Sequence, residues 1–303
     1  MNEYFIEYVK KILPAERIRI DEPMSKHTTF RVGGAADLFV QPESKEELAA
    51  IIKYLAVSER EYFILGNGSN LLVGDHGYRG TVVKISKGFD TIETDGIRIK
   101  AGGGAMLSKV AASALADSLS GFEFASGIPG TVGGAMVMNA GAYGGEMKDI
   151  VESVETVTED GDELVLSNDE MQFAYRKSIL RKAKLVVTSV TFRLEKGDQA
   201  DILSKMEEFK ASRIKKQPLE YPSAGSTFKR PEGYFAGKLI MDAGLSGYTI
   251  GGAQVSPKHC GFVINIGNAC SADIRDLIIE VQEKVRDRFH VKLEPEVCII
   301  GDF

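Results

Sequence analysis

Three polar groupings in the second half of the chain carry residue types suited to work on an anionic substrate. Tyr175-Arg176-Lys177-Ser178 sets a permanently cationic guanidinium beside a tyrosine in an otherwise apolar stretch. Ser223-Ala224-Gly225-Ser226-Thr227-Phe228-Lys229-Arg230-Pro231 is a loop of small residues around a serine. Leu293-Glu294-Pro295-Glu296-Val297 places Glu296 where a strand begins. Each also has a plain structural reading: Arg176 as a surface ion-pair residue, Ser226 as the centre of a serine turn, Glu296 as an exposed carboxylate.

Two glycine-rich segments suggest phosphate chemistry. Gly66-Asn67-Gly68-Ser69-Asn70 follows the apolar run Tyr62-Phe63-Ile64-Leu65 and offers backbone N–H groups unobstructed by Cβ, with serine and asparagine donors, which suits a pyrophosphate. The second segment, Gly127–Gly145, contains Gly130, Thr131, Gly133, Gly134, Asn139 and Ala140; it is too apolar for an ordinary solvated loop and can lie flat against an aromatic ring. Either alone can be only a tight turn. Two in one chain point to a dinucleotide. Neither fits the Gly-x-Gly-x-x-Gly pattern between strand and helix with an acidic residue about 20 positions further on, which disfavours a Rossmann nicotinamide site.

The elements that must position these groups follow from periodicity. Tyr4–Leu13 has helical spacing and stops at Pro14, and Ser44-Lys45-Glu46-Glu47 opens a capped helix with Leu48, Ile51, Ile52 and Leu55 on one face. The strand 62–65 completes a small α/β unit. From Thr81 the texture turns to short strands, 81–85 and 91–100 around the turn Asp95-Gly96, then a helix over 107–119. Strands resume at 153–158, 163–166 and 185–194. The polar stretch Glu195-Lys196-Gly197-Asp198 reads as a linker, followed by a polar helix over 202–216, a loop-rich centre over 218–256, a strand at 261–266, a helix after Ser271 and a last strand at 296–300. The fold class is α+β, with a domain boundary near residue 197.

Composition narrows the function. At 303 residues with 44% hydrophobic and 26% charged side chains, the chain is neither disordered nor membrane-embedded, and no apolar run reaches the roughly 18 residues of a spanning helix. Met1-Asn2-Glu3-Tyr4-Phe5 shows no secretory signal, so a cytoplasmic location is expected. Lys+Arg at 37 against Asp+Glu at 43 gives a net charge of −6, which argues against nucleic acid or an acidic membrane as the main partner. Cys260, Cys270 and Cys298 form no close pair and are expected to be buried packing residues, and His27, His76, His259 and His290 are scattered, so neither a disulfide framework nor a metal site is indicated. Glycine is the departure, at 32 residues, about a tenth of the chain where about 7% is usual.

Taken together, these segments resemble the UDP-N-acetylenolpyruvoylglucosamine reductase family over nearly the whole chain. The resemblance begins at His27-Thr28-Thr29-Phe30-Arg31-Val32-Gly33-Gly34-Ala35-Ala36-Asp37 and takes in 66–70, Ile128–Gly134, Tyr175–Ser178, Ala224–Lys229, Gly251-Gly252-Ala253-Gln254-Val255-Ser256 and Glu294–Val297. The 224–229 and 251–256 stretches are the most specific. The chain is too short for the Tyr-bearing lid loop of longer members, so it resembles the shorter subclass, and Arg230 stands where some relatives have Asn. The resemblance implies a two-subdomain FAD-binding fold of the FAD-linked oxidoreductase (PCMH/VAO) type, residues 1–80 and 81–197, and a C-terminal α+β substrate domain, 198–303. It implies noncovalent FAD held by residues 66–70, 130, 131, 133, 134, 139 and 140; no His or Cys lies in either loop to attach it.

NADPH is then the electron donor, and UDP-N-acetylglucosamine enolpyruvate is reduced to UDP-N-acetylmuramate for peptidoglycan, by a protein expected to be a monomer. Arg176, Ser226 and Glu296 become the catalytic residues: a cation for the enolate, a proton donor to carbon, and an aid to enolate stabilisation that donates only if burial raises its pKa. Tyr175, Lys216 and Lys229 become substrate contacts, though Arg213, Lys215 and Lys216 also sit at a helix C-terminus, where cations favour the dipole regardless. Two other readings stay open: an FAD oxidoreductase of the same cofactor fold acting on a different alcohol or sugar, which would bind flavin without reducing the enolpyruvyl nucleotide, and a nucleotide-binding regulator without turnover, which would have no need of the three catalytic residues.

Overall fold

A computed structural model describes residues 3–303. The helices are α1 (Glu3–Ile12), α2 (Lys45–Val57), α3 (Leu107–Ala116), α4 (Val132–Val137), α5 (Gln199–Lys216), α6 (Ala236–Asp242) and α7 (Ser271–Phe289). None of the described helices is long and apolar enough to cross a membrane. The chain forms two compact units interleaved in sequence. Among the described residues the larger is built from 3–20, 38–67 and 80–211, the smaller from 21–37, 68–79 and 212–303.

In the larger unit, Phe5 and Val9 of α1 with Leu13 just beyond it, and Leu48, Ile51, Ile52 and Leu55 of α2, recur at three- and four-residue spacing and bury one common apolar core with Val83 and Ile85. Ser44 caps α2 by accepting from the Glu47 amide at 3.2 Å, and the Glu47 carboxylate takes both guanidinium nitrogens of Arg17 at 2.7 Å. The strand Tyr62–Leu65 that follows α2 pairs in parallel with Tyr78–Lys84, Leu65 standing opposite Lys84. A second core lies on a five-stranded antiparallel sheet ordered Glu163–Ser167, Val151–Val157, Val186–Arg193, Arg98–Gly102, Ile92–Asp95, against which α3 and α4 pack.

The smaller unit has its own core, in which α6, α7 and the strands Ala253–Val255 and Val263–Asn265 enclose Phe30, Val32, Leu72 and Phe228. Its last strand, Cys298–Ile300, runs parallel to Leu71–Val73. The architecture is α+β, in agreement with the order of elements in the sequence.

Several local expectations change. The third helix stops at Ala116 rather than 119, because Ser118 takes a left-handed φ of 55° and Leu119–Ser120 pairs with Glu195–Lys196. That pairing, with Gly197 donating to the Ser118 carbonyl at 2.9 Å, ties down the stretch expected to be a linker. The two compact units change over at 211/212, within α5. The loop-rich centre holds α6, only seven residues long and too short for its period to stand out. Of the cysteines only Cys260 is buried; Cys270 is exposed and caps α7, accepting from the Asp273 amide.

Charge locks α2 to the sheet. Glu155 accepts from Lys45, at the start of α2, at 3.0 Å and from Lys100, two strands away in the sheet. Burial pushes the Glu155 carboxyl up, but the hydrogen bonds from Lys100 and Lys45 outweigh it and hold the group down at about 2. A carboxylate depressed in the folded state contributes stability above its ordinary pKa and loses it as pH falls toward the folded value. Unfolding titrations should therefore show stability falling between about pH 4.5 and 2, and Glu155→Gln should flatten that fall by up to about 3 kcal/mol; an unchanged acid limb would show that the cluster contributes nothing.

Candidate functional site

The larger unit brings parts of the two glycine segments together. Gly66, delivered by the strand Tyr62–Leu65, lies so near Thr131 that a Cβ there would sit 2.4 Å from the threonine hydroxyl. Asn67 Nδ2 donates to the Pro129 carbonyl at 2.8 Å, and the Lys84 amine donates to the Gly66 carbonyl. The second segment differs from what its composition suggests. Its amides are largely engaged: Gly130 donates to Ile128, Val132 to Ala105, Gly133 to Gly103 and Ala140 to Ala135, while Thr131 Oγ1 caps α4 by accepting from Gly134 at 3.4 Å. What it offers is bare backbone for close approach. The amides of Asn67, Gly68, Ser69 and Asn70, by contrast, donate to no group among the described residues. Donors of that kind, on backbone where Cβ is absent at Gly66 and Gly68, fit the diphosphate of a dinucleotide.

Asn139 does not present its side chain to a ligand. It is fully buried, donates Nδ2 to Glu146 Oε2 at 2.9 Å and to the Ala174 carbonyl at 3.2 Å, and accepts from the Lys148 amide at 3.0 Å. Its role is to brace the turn in which Ala174 and Lys177 exchange backbone hydrogen bonds at 2.9 and 3.1 Å, with Tyr175 and Arg176 at the tip. Arg176 adopts a left-handed φ of 54°, its guanidinium 4.9 Å from the centre of the Tyr175 ring and donating to the Gly141 carbonyl at 3.4 Å. Nothing in the sequence marked Asn139 as a brace, because Ala174 and Glu146 meet it only through folding.

Ser226, Lys229 and Glu296 belong to the smaller unit, where backbone pairing joins their segments. Glu296 N donates to the Thr227 carbonyl and Lys229 N to the Glu294 carbonyl, both at 2.8 Å, flanking the bridge between Phe228 and Pro295. Thr227 is fully buried, its hydroxyl accepting from Val263 N at 2.9 Å, which anchors the exposed Ser226 beside it. Asn70 proves to be a clamp for this segment: its Nδ2 donates to the Glu296 carbonyl at 3.0 Å and its own carbonyl accepts from Cys298 N at 3.0 Å. The Lys229 amine lies 3.3 Å from Glu294 in an exposed pair, the kind that yields readily to a competing anion. Lys216 stands exposed at the last position of α5.

Comparison with known proteins shows the family. The model of an FAD-binding domain matches residues 36–167, and that of the UDP-N-acetylenolpyruvoylglucosamine reductase C-terminal domain matches 217–300. The curated UDP-N-acetylenolpyruvoylglucosamine reductase of Caldanaerobacter subterraneus subsp. tengcongensis is 53% identical over 302 residues, covering 100% of both chains. This chain belongs to the UDP-N-acetylenolpyruvoylglucosamine reductase family. The Agathobacter rectalis reductase is 52% identical, again over 100% of both chains. The crystal structure of the Thermus caldophilus reductase superposes with a TM-score of 0.81 at 37% identity, over 93% of this chain and 99% of that one. Phl p 4, a grass pollen allergen with glucose dehydrogenase activity, superposes at 0.52 with 14% identity over 64% of this chain and 44% of that one, a likeness of fold alone. The chain is thus an FAD-dependent oxidoreductase.

The contact at Gly66 sets a direct test. Gly66→Ala forces the loop away from Thr131, with about 1–3 kcal/mol of strain or roughly a tenfold to hundredfold loss of FAD affinity, read from flavin fluorescence in a titration of the apoprotein. Unchanged affinity would remove this contact from the cofactor site.

Proposed function

We propose that this chain reduces UDP-N-acetylglucosamine enolpyruvate to UDP-N-acetylmuramate with NADPH as electron donor, a step in making peptidoglycan precursors. The full-length identity of 53% to a curated reductase carries the reading. Residues 1–80 and 81–197 serve as the FAD-binding subdomains and 198–303 as the substrate-binding domain, a division consistent with the family-model matches at 36–167 and 217–300. The protein works as a cytoplasmic monomer, and its net charge of −6 suits a small-molecule enzyme with no nucleic-acid partner.

FAD, when bound, would supply hydride transfer between NADPH and the terminal methylene carbon of the enolpyruvyl ether. The chain's own residues must then manage charge. Negative charge builds on the carbon bearing the carboxylate and spreads onto the carboxylate oxygens. Arg176, cationic at any working pH, binds that carboxylate more strongly as its charge grows, so its contribution is greater in the transition state than in the ground state. Its left-handed backbone and the Asn139-braced turn support a fixed position for the guanidinium.

Ser226 donates a proton to the carbanionic carbon. A hydroxyl is a weak acid, but the acceptor is a strongly basic carbon, which narrows the mismatch. Glu296, held by backbone pairing to the segment that carries Ser226, assists in stabilising the enolate. Gly66, Asn67, Gly68, Ser69 and Asn70 hold the FAD diphosphate, with Gly130, Thr131, Gly133, Gly134 and Ala140 approaching the cofactor through backbone. Tyr175, Lys216 and Lys229 contact the nucleotide substrate, Lys229 exchanging its Glu294 partner for a phosphate.

Two outcomes test the assignment. The purified protein should be yellow, bleach anaerobically with NADPH and regain colour on adding the enolpyruvyl nucleotide; bleaching without recovery would set the substrate aside. Ser226→Ala should bleach as the parent does yet form product at least about a hundredfold more slowly, and Arg176→Lys, which loses the planar fork, should lose about as much turnover. Normal turnover in either variant removes that residue from the mechanism.

A further inference from the structure

Lys84 is an amine in an awkward place. It ends the strand Tyr78–Lys84 directly after the buried run Thr81–Val83, is itself half-buried, and pairs with no carboxylate among the described residues. Burial holds its pKa below the ordinary lysine value. A desolvated ammonium without a counter-ion is unfavourable and calls for an anion to complete it. Its one hydrogen bond goes to the Gly66 carbonyl, the first carbonyl of the glycine loop. The sheet does not require that bond, because the preceding carbonyl, Leu65, already accepts from Ile85 N at 2.9 Å and closes the ladder.

The consequence lies on the other side of the same peptide. In a trans peptide the C=O and the following N–H point in opposite directions. Pinning the Gly66 carbonyl onto Lys84 therefore turns the Asn67 N–H the other way, and that N–H donates to nothing among the described residues. Asn67 is held from its far end as well, by its side chain on the Pro129 carbonyl.

We propose that Lys84 is the positioning residue of the FAD-diphosphate loop: it fixes the Gly66–Asn67 peptide so that the Asn67 amide is aimed at a phosphate oxygen, and supplies the unneutralised positive charge that the diphosphate completes. The inference rests on FAD as the cofactor and adds a residue outside both glycine segments. A glycine loop otherwise free to rotate its peptides is thereby preorganised for an anion, so less ordering is left for the moment of binding.

The test uses the full-length apoprotein, with FAD affinity read by flavin fluorescence for the parent, Lys84→Met, Lys84→Gln and Lys84→Arg between pH 7 and 9.5, beside the thermal midpoint of each apoprotein. Lys84→Met should weaken FAD at least about tenfold with little change in the apoprotein midpoint, and Lys84→Arg should restore most of the loss. Because the lysine loses its charge as pH rises through its lowered pKa, parent affinity should fall toward pH 9.5 while that of Lys84→Arg stays level. Equal FAD affinity in parent and Lys84→Met overturns the proposal and leaves the FAD assignment standing; an apoprotein midpoint that drops with no change in the pH profile also overturns it, as a purely structural role. If Lys84→Met does not fold, Lys84→Gln decides, and parent-like affinity and pH profile in that variant overturn the proposal. A parent protein that takes up no FAD brings down the cofactor assignment itself.

Discussion

Between Gly66 and Thr131 there is no room for a side-chain carbon, and the cofactor half of the molecule is arranged around that exclusion. The strand Tyr62–Leu65 must end at Leu65, opposite Lys84, for the loop to leave the sheet where Thr131 waits. Thr131 in turn is fixed because it caps α4, whose neighbouring amides donate to Gly103 and Ala105 at the end of the five-stranded sheet. One steric constraint thus ties the parallel strand pair, the glycine loop and the sheet into a single geometry. A loop so constrained can offer its amides to an anion without rearranging.

The two glycine segments look alike in composition and do different work. In 67–70 the amides have no acceptor among the described residues, whereas in 130–140 most are consumed by the protein's own carbonyls, and what remains is the absence of side chains. Glycine serves donor access in one and close approach in the other. Asn70 and Asn139 carry the same lesson, for both are polar residues in glycine segments whose side chains hold other backbone: Asn70 the Glu296 carbonyl, Asn139 the Ala174 carbonyl. Each braces a segment that carries a residue assigned here to catalysis.

Such bracing matters because the chemistry assigned to Arg176, Ser226 and Glu296 is electrostatic and acid-base, and depends on position more than on reactivity. A guanidinium stabilises an enolate only along a short, directed path, and a serine protonates carbon only in line with it. Buried Asn139 and buried Thr227, neither of them reactive, hold the segments that carry Arg176 and Ser226 by hydrogen bonds to backbone.

The sequence by itself determined the family, the α+β class, the amphipathic helices α2 and α7, the glycine loop after its strand and the identity of the candidate catalytic residues, since periodicity and local motif lie within a few residues of one another. Tertiary structure alone decided that the chain's compact units interleave, that Glu195–Lys196 is a pinned strand, that Asn139 is a brace and that Lys84 reaches Gly66. Those features depend on partners between seven and well over a hundred residues away, brought close by strand register and by the burial of separate cores. No local pattern encodes which amide is consumed and which is left free; that depends on which carbonyl the fold sets opposite it.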